Sequence, residues 1–391
     1  MSIHKLTITP ILVGLVGLTA SGCGDDAKVV VDAPAGDAAD AAVVDTAAPA
    51  DAPGFTLESS DLASGTFSNA QILNSSAFGC AGENHSPALR WSNPPAGTRS
   101  FAITLFDPDA PTGSGFWHWT VFNIPAATTA LASNAAVSTG GSLPAGAIQG
   151  YTDFGAPGYG GPCPPDGDTP HHYVFTIYAL SVDSLGLSSE APGALVTFSA
   201  LSSSLGTAKL MATYGRGTPG TSMHPEPPTL ASFTLASASI TDGTIANEQV
   251  LNNAGLGCAG GNLSPELHWV GAPDTTKSFA LTVHDPDAPT GSGFWHWLAF
   301  DIPATTKSLI KGAGSGTSVF PGKQGYNDLG VSAYAGPCPP VADGPHHYVF
   351  TLYALPVETL GLTPGSTGAL LGFNARAMAT AKATFTATYD R

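Results

Sequence analysis

Asp107-Pro-Asp-Ala-Pro-Thr-Gly-Ser-Gly-Phe-Trp-His-Trp119 occurs twice in this chain. The same thirteen residues stand, without a change, at 285–297. A second shared stretch follows each copy. Gly161-Pro-Cys-Pro-Pro165 leads to His171-His-Tyr-Val-Phe175, and Gly336-Pro-Cys-Pro-Pro340 leads to His346-His-Tyr-Val-Phe350. Each half therefore carries an acidic turn, buried-looking histidines, a tyrosine and a proline-lined loop. That set predicts a preformed pocket, made once per half.

The repeat extends outward from these stretches. Cys80-Ala-Gly-Glu-Asn84 matches Cys258-Ala-Gly-Gly-Asn262 at an offset of 178, and Tyr214-Gly-Arg216 matches Tyr389-Asp-Arg391 at 175. A period near 176 is too long for a solenoid and gives two homologous domains, each large enough to bury its own core. The boundaries read 55–217 for the first domain and 232–391 for the second. The Pro-rich stretch 218–231 is the linker between them.

Only 11% of the 391 residues are charged, against 47 Gly and 33 Pro. Such a chain is turn-rich and mainly β, because Gly and Pro punctuate short strands and weaken helices. Strands are predicted at Phe101–Phe106, Phe116–Ile124 and Tyr173–Leu180, rich in aromatic and β-branched residues. The composition places the minor helix at Ala375–Ala383, with a poorer counterpart at Ala200–Met211.

Strand alternation puts His118 on the face opposite Trp117 and Trp119, which read as core. It puts His171 and Tyr173 on one face and His172 on the other. If both strands lie in one sheet, His118, His171 and Tyr173 converge. Asp107 sits at a strand end, where the turn set by Pro108 aims its carboxylate at the same place. Asp109 is the alternative, or a residue that caps the turn. Pro164 and Pro165 supply a wall without backbone donors. Histidine and tyrosine donate hydrogen bonds to an oxyanion, which suits a weak anion site. The carboxylate should raise the histidine pKa and burial should lower it.

Asp-Pro-Asp-Ala-Pro, the strand histidine, and Gly-x-x-Pro-Pro running to His-x-Tyr-Val resemble the phosphatidylethanolamine-binding protein family. The short Thr-Gly-Ser-Gly connection is similar to its bacterial, Raf-kinase-inhibitor-like branch. The resemblance covers nearly all of both repeats. It implies a large antiparallel sheet packed with a smaller one, and a small cavity for phosphate-like anions or phospholipid head groups. The implied pocket residues are Asp107, His118, Pro164, Pro165, His171 and Tyr173. In the second domain they are Asp285, His296, Pro339, Pro340, His346 and Tyr348. The family often has Arg between the last His and Tyr; here His172 and His347 stand there, expected to face away from the pocket.

The N-terminus reads as a targeting segment, residues 1–23. Lys5 is its positive region, Thr7–Ala20 its apolar stretch, and Ser21-Gly-Cys23 resembles a bacterial lipobox that would acylate Cys23. Residues 24–54 carry seven aspartates, one lysine and three prolines. They cannot bury enough surface to offset ordering, so they read as a disordered tether spanning on the order of 30 Å. Of five cysteines, four remain after Cys23. For an exported protein the simplest of three connectivities is Cys80–Cys163 with Cys258–Cys338.

A net charge of −16 argues against nucleic acid, which needs clustered Lys and Arg. No cofactor and no metal site is expected. The chain reads as a cell-envelope lipoprotein, its domains in the periplasm or at the cell surface. Its expected partners are a small anionic or phospholipid head-group ligand and the membrane through its anchor, with a protein partner as the further option. The rival readings are an inhibitor acting on an envelope or host protein, and a hydrolase using the Asp/His/His/Tyr cluster. No Gly-x-Ser-x-Gly elbow supports the hydrolase.

Overall fold

The computed structural model describes residues 54–136, 141–220, 230–316 and 319–391. The targeting segment, Cys23, His224, all of the tether but Gly54, and linker residues 221–229 lie outside them. In chain order the first half contains β1 (Thr56–Glu58), β2 (Asn74–Ser75), β3 (Cys80–Ala81), β4 (Leu89–Ser92), β5 (Ser100–Asp107) and β6 (Phe116–Pro125). It continues with β7 (Ala130–Leu131), β8 (Ile148–Gln149), β9 (His171–Leu180), α1 (Gly193–Ser203) and β10 (Ser204–Tyr214). A five-stranded antiparallel sheet has the order β10-β9-β5-β6-β8, and a three-stranded sheet has the order β1-β4-β7.

Alternation along the central strands decides the layering. Phe101, Ile103 and Leu105 of β5 face the small sheet and meet Leu57, Leu89 and Trp91. Ala102 of β5, with Phe122 and Leu180, faces the other way and packs under Val196 and Ala200 of α1. Buried side chains of this kind each contribute roughly 1.5–3 kcal/mol. The sheet is thus sandwiched between a smaller sheet and one helix.

The second half repeats this plan. It contains β11 (Ala231–Ser232), β12 (Thr234–Ala236), β13 (Asn252–Asn253), β14 (Cys258–Ala259), β15 (Leu267–Val270), β16 (Ser278–Asp285) and β17 (Phe294–Pro303). Then come β18 (Ser308–Leu309), β19 (Lys323–Gln324), β20 (His346–Leu355), α2 (Gly368–Met378) and β21 (Ala381–Tyr389). Its large sheet runs β11-β21-β20-β16-β17-β19. Ala231, placed in the linker by composition, already pairs with Ala381.

Two expectations need correction. The helices lie about seven residues earlier than composition suggests, at Gly193–Ser203 and Gly368–Met378. Most of the predicted helical stretches, from Ser204 and from Ala381 onward, are edge-side strands paired along their length with β9 and β20. Alanine favours helix only weakly, by tenths of a kcal/mol per residue over its rivals. A nine-residue ladder with alternate alanines 381, 383 and 387 buried outweighs that preference.

The two domains meet through a reciprocal contact. Trp117 Nε1 donates to Ser292 Oγ at 3.1 Å, and Trp295 Nε1 donates to Ser114 Oγ at 3.1 Å. Tyr151 and Tyr326, matched positions, pack ring to ring with centroids 5.1 Å apart. Residue i touching j while j's counterpart touches i's is the mark of a twofold interface. Here it is built within one chain. Trp117 and Trp295 are buried as expected, but part of what buries them is the other domain.

Candidate functional site

The acidic turn ends β5 and turns the chain back into β6. Gly115 makes the return possible. Its φ is +75°, and a Cβ there would lie 2.3 Å from the Phe106 ring and 2.7 Å from the Asp107 carbonyl oxygen. A side chain is therefore excluded twice, by backbone conformation and by space. Thr112 Oγ1 closes the turn, donating to Gly115 O at 2.6 Å.

A bulge then aims His118. Phe106 pairs with Trp117 and Leu105 with Trp119, so His118 is the extra residue on β6. Such a residue can be redirected without disturbing the rest of the ladder. His296 occupies the same place on β17. His118 Nδ1 lies 2.8 Å from Gly160 O. A carbonyl only accepts, so Nδ1 carries the proton and Nε2 faces the cavity. His296 does the same with Ala335 O at 2.9 Å.

Asp107 is buried and holds the centre. Its Oδ1 accepts from the Asp109 amide at 2.9 Å, and its Oδ2 lies 2.8 Å from His171 Nδ1 and 3.9 Å from His118 Nε2. In the second domain Asp285 accepts from the Asp287 amide at 2.9 Å. Its Oδ2 lies 2.7 Å from His346 Nδ1 and 3.9 Å from His296 Nε2. Asp109, the alternative ligand residue, points outward instead. It accepts from the His172 amide and lies 2.8 Å from His172 Nδ1, so His172 is fixed at the surface. Asp287 and His347 repeat the pair.

The two histidines of the first site are shifted in opposite directions for a physical reason. Burial lowers the His118 pKa, and the nearby Asp107 charge only partly offsets it. His118 is therefore neutral near pH 7, with Nε2 an acceptor. Burial also opposes charge on His171, but the hydrogen bond and charge of Asp107 outweigh it and raise the pKa. His346 is raised in the same way by Asp285, with help from Asp343. Burial would raise the Asp285 pKa, yet the nearby His296 and the hydrogen-bonded His346 hold it well below the usual range. The opposing effects weighed from the sequence thus resolve one way for His118 and the other for His171.

The tyrosines are the open ends of the cluster. Tyr173 and Tyr348 are fully buried, and neither hydroxyl makes a hydrogen bond of ordinary geometry among the described residues, although the Asp107 or Asp285 carboxylate lies near enough to act on it. Burial, followed by the charge of Asp107 or Asp285, pushes both hydroxyls up, so they keep their protons. A buried, unsatisfied hydroxyl costs about 1–3 kcal/mol, and it is a site a ligand can satisfy.

All six predicted residues of the first domain, Asp107, His118, Pro164, Pro165, His171 and Tyr173, line one cavity of about 180 Å³. In the second domain Asp285, His296, His346 and Tyr348 adopt the same arrangement, with the His296 and Tyr348 rings 5.1 Å apart. Pro339 and Pro340 stand where Pro164 and Pro165 do. Sequence reasoning missed several lining residues. Phe78, Phe116, Phe154 and Arg216 belong to the first domain, while Leu370 and Phe373 come from α2 of the second. Arg216 was legible only as the repeat's end. It donates from Nε to Pro164 O at 2.5 Å and from its terminal nitrogens to Gly79 O and Phe78 O, bracing the proline wall. Arg391 does this at Pro339, Gly257 and Leu256. Leu370 and Phe373 had no sequence signal, because they act across the domain interface. A second depression of about 260 Å³ shares Phe78 and Phe154 but is lined by no charged side chain.

Both disulfides join the expected cysteines, Cys80 to Cys163 and Cys258 to Cys338. Each ties the loop before β4 or β15 to the proline wall. A Cys163 thiol chemistry is thereby excluded in this state.

A duplicated β sandwich with an Asp–His–His–Tyr cluster at the end of each large sheet is a binding-type fold. The chain belongs to the phosphatidylethanolamine-binding protein family, whose model matches residues 63–215 and 241–390. It is 52% identical to the Escherichia coli UPF0098 protein YbcL over 139 residues, 36% of this chain and 76% of that protein. It is 43% identical to E. coli YbhB over 159 residues, 40% of this chain and 99% of that one. A Mycobacterium tuberculosis protein named as a candidate lipoprotein, LppC, is 38% identical over 141 residues, 36% of this chain and 64% of its own. The crystal structure of E. coli YbcL, titled a new member of the mammalian PEBP family, matches with a TM-score of 0.40 at 45% identity. It covers 41% of this chain and 98% of that one. Among the described residues, no helix is long and apolar enough to cross a membrane.

Proposed function

We propose that each domain binds a small phosphorylated group, of the size and kind of a phospholipid head group. The observation that carries this reading is the buried hydroxyl of Tyr173, and of Tyr348, left without a hydrogen bond among the described residues beside a histidine whose pKa the neighbouring carboxylate raises. The cavity offers two donors, the tyrosine O–H and the Nε2–H of protonated His171, and one acceptor, the Nε2 of neutral His118. A phosphate carrying one proton complements that set. Asp168 Oδ2, 3.6 Å from His171 Nε2, adds a carboxylate that suits an ammonium on the same ligand. A cavity of about 180 Å³ lies below the roughly 300–1,000 Å³ of drug-sized sites. It favours a head group over a whole lipid.

The chain is, on this reading, a cell-envelope lipoprotein tethered through Cys23. The lipobox-like Ser21-Gly-Cys23, the acidic tether and the name carried by the LppC relative support this placement. Metabolic labelling with a radiolabelled fatty acid tests it: label that persists in Cys23→Ala would overturn the anchor.

Calorimetry on residues 55–391 with inorganic phosphate, phosphoethanolamine and short-chain phosphatidylethanolamine tests the binding reading. Saturable binding that vanishes in a folded His118→Ala/His296→Ala variant is expected. Turnover of a phosphate ester by the wild type would replace binding by hydrolysis as the function.

A further inference from the structure

The chemistry-bearing residues of the two sites are the same, but two positions in their walls are not. Phe78 and Phe154 line the first domain's cavity. The matched residues of the second domain are Leu256 and Leu329. The first site therefore has four phenyl rings in its wall: Phe78, Phe116, Phe154 and, from α2, Phe373. In the second domain two of the matched positions are leucine.

Phe154 is the hub of this wall. Its ring stands 4.7 Å from Phe116 at 63°, 5.7 Å from Phe78 at 83° and 5.3 Å from His118 at 75°. Rings set near right angles turn faces and edges in several directions around one volume. A phenyl face is electron-rich, and a methylated ammonium is attracted to it more than to an aliphatic wall of equal size. The same cavity holds Asp107, with Asp168 beside His171. A group that is both cationic and apolar is attracted by the carboxylates and the rings together; an aryl group is attracted by the rings alone. A cavity of roughly 150 Å³ admits one benzene ring, so about 180 Å³ admits a compact head group and no acyl chain.

Resting on the head-group reading, we infer that the first domain's site selects a phosphate ester of an N-methylated amino alcohol, phosphocholine being the simplest. The second domain's site does not distinguish methylated from unmethylated forms.

The test uses the full chain with one site silenced at a time. Tyr348→Phe/His296→Gln leaves the first site, and Tyr173→Phe/His118→Gln leaves the second. Each is titrated with phosphocholine, phosphoethanolamine and inorganic phosphate. The first site should bind phosphocholine about tenfold more tightly than phosphoethanolamine, and the second should bind the two within about threefold. Phe78→Leu/Phe154→Leu should reduce the first site's ratio to the second's. Those leucines stand at the same places in a folded domain, and a thermal melt checks that the variant folds. Equal affinities at the first site, or a preference that survives the double swap, would overturn the inference while leaving phosphate binding intact. Failure of all three compounds at both sites would overturn the head-group reading itself. Phosphatidylcholine vesicles form a last arm, run with Cys23→Ala so that no acyl anchor contributes: co-sedimentation lost in Phe78→Leu/Phe154→Leu assigns the ligand to a lipid surface, and binding of free phosphocholine alone assigns it to a soluble ester.

Discussion

The two domains are alike where chemistry is done and unlike where the walls and the interface are built. Asp107, His118, His171 and Tyr173 superpose in role on Asp285, His296, His346 and Tyr348, down to distances of 2.8 and 2.7 Å for the carboxylate–imidazole pair. Phe78, Phe106 and Phe154, by contrast, become Leu256, His284 and Leu329. A polar cluster tolerates no partial change, because each buried group depends on its partner. Apolar walls tolerate swaps of similar volume at small cost. Duplication followed by drift therefore preserves the cluster and lets the walls diverge.

The largest test of this likeness is covalent. The disulfides close loops 83 and 80 residues apart in sequence. In the chain-entropy model each contributes about 4 kcal/mol. Cys80→Ala/Cys163→Ala and Cys258→Ala/Cys338→Ala should each destabilise their own domain by that amount, read by guanidinium denaturation. Unequal losses would show that the bridges do different work in the two halves.

The next test breaks the interface on one side only. A Cβ on Gly372 of α2 would lie 2.1 Å from the Thr112 carbonyl oxygen of the first domain. The matched residue of α1 is Thr197, so α1 cannot approach Thr290 as closely. Gly372→Thr should cost about 3 kcal/mol through overpacking and loosen the α2 wall of the first cavity. Thr197→Gly should cost less than about 1 kcal/mol, since the Thr197 hydroxyl is buried without a partner. Equal costs would mean that the helices seat symmetrically after all.

A third test concerns two carboxyls at the interface. Asp153 Oδ2 accepts from the Trp117 amide at 2.7 Å, and Asp328 Oδ2 accepts from the Trp295 amide at 2.8 Å. Burial pushes the Asp153 pKa up to about 6, against the opposing hydrogen bonds from Trp117 and Thr367. Burial raises Asp328 too, and the Asp153 charge adds to it. A folded-state pKa above the unfolded 3.8 means that the folded protein holds the proton more tightly. Stability should therefore rise as pH falls through 6 toward 4. The raised His171 and His346 act in the same direction, contributing below pH 6.5 and losing that contribution as pH rises through their folded values. Asp285 acts oppositely, but only as pH falls below about 4. His118 and His284, both lowered by burial, act oppositely from pH 6.5 downward, so the carboxyl contribution is read as the difference between wild type and an Asp153 variant. Asp153→Asn keeps the acceptor and should add about 2 kcal/mol at pH 8, flattening the pH profile of the melting temperature. An unchanged profile would place the titration elsewhere.

Much of this was legible in the sequence, and the rest was hidden for identifiable reasons. The two repeated stretches gave the domain count and, with the family resemblance they carry, the fold class and the pocket residues of each domain; strand alternation is local and placed His171 and Tyr173 on one face. The outward placement of His172 followed from the same rule. The position of α2 was missed, since alanines 381 and 383 read as helical until β20 pairs with them. Phe154 and Phe373 were missed because a loop and a second domain bring them to the cavity. Arg216 was visible only as a repeat marker, its hydrogen bonds to Pro164, Gly79 and Phe78 being set by tertiary structure alone.

The smallest expected effect is the most informative about the shared cluster. Tyr173→Phe and Tyr348→Phe each remove one oxygen that is buried and makes no hydrogen bond of ordinary geometry among the described residues. If those hydroxyls serve only packing, removal should leave ligand affinity alone and stability unchanged or higher by about 1 kcal/mol, because an unsatisfied group is relieved. If they serve as donors to a bound phosphate, stability should behave the same way, yet affinity at the altered site should fall about threefold to tenfold, the worth of one hydrogen bond. Stability cannot separate the two roles, so both must be measured on the same variants. A hydroxyl kept in both domains against its own desolvation cost is economical only if something other than the folded chain satisfies it. Loss of affinity without loss of stability, at one site per substitution, is the outcome that this argument requires.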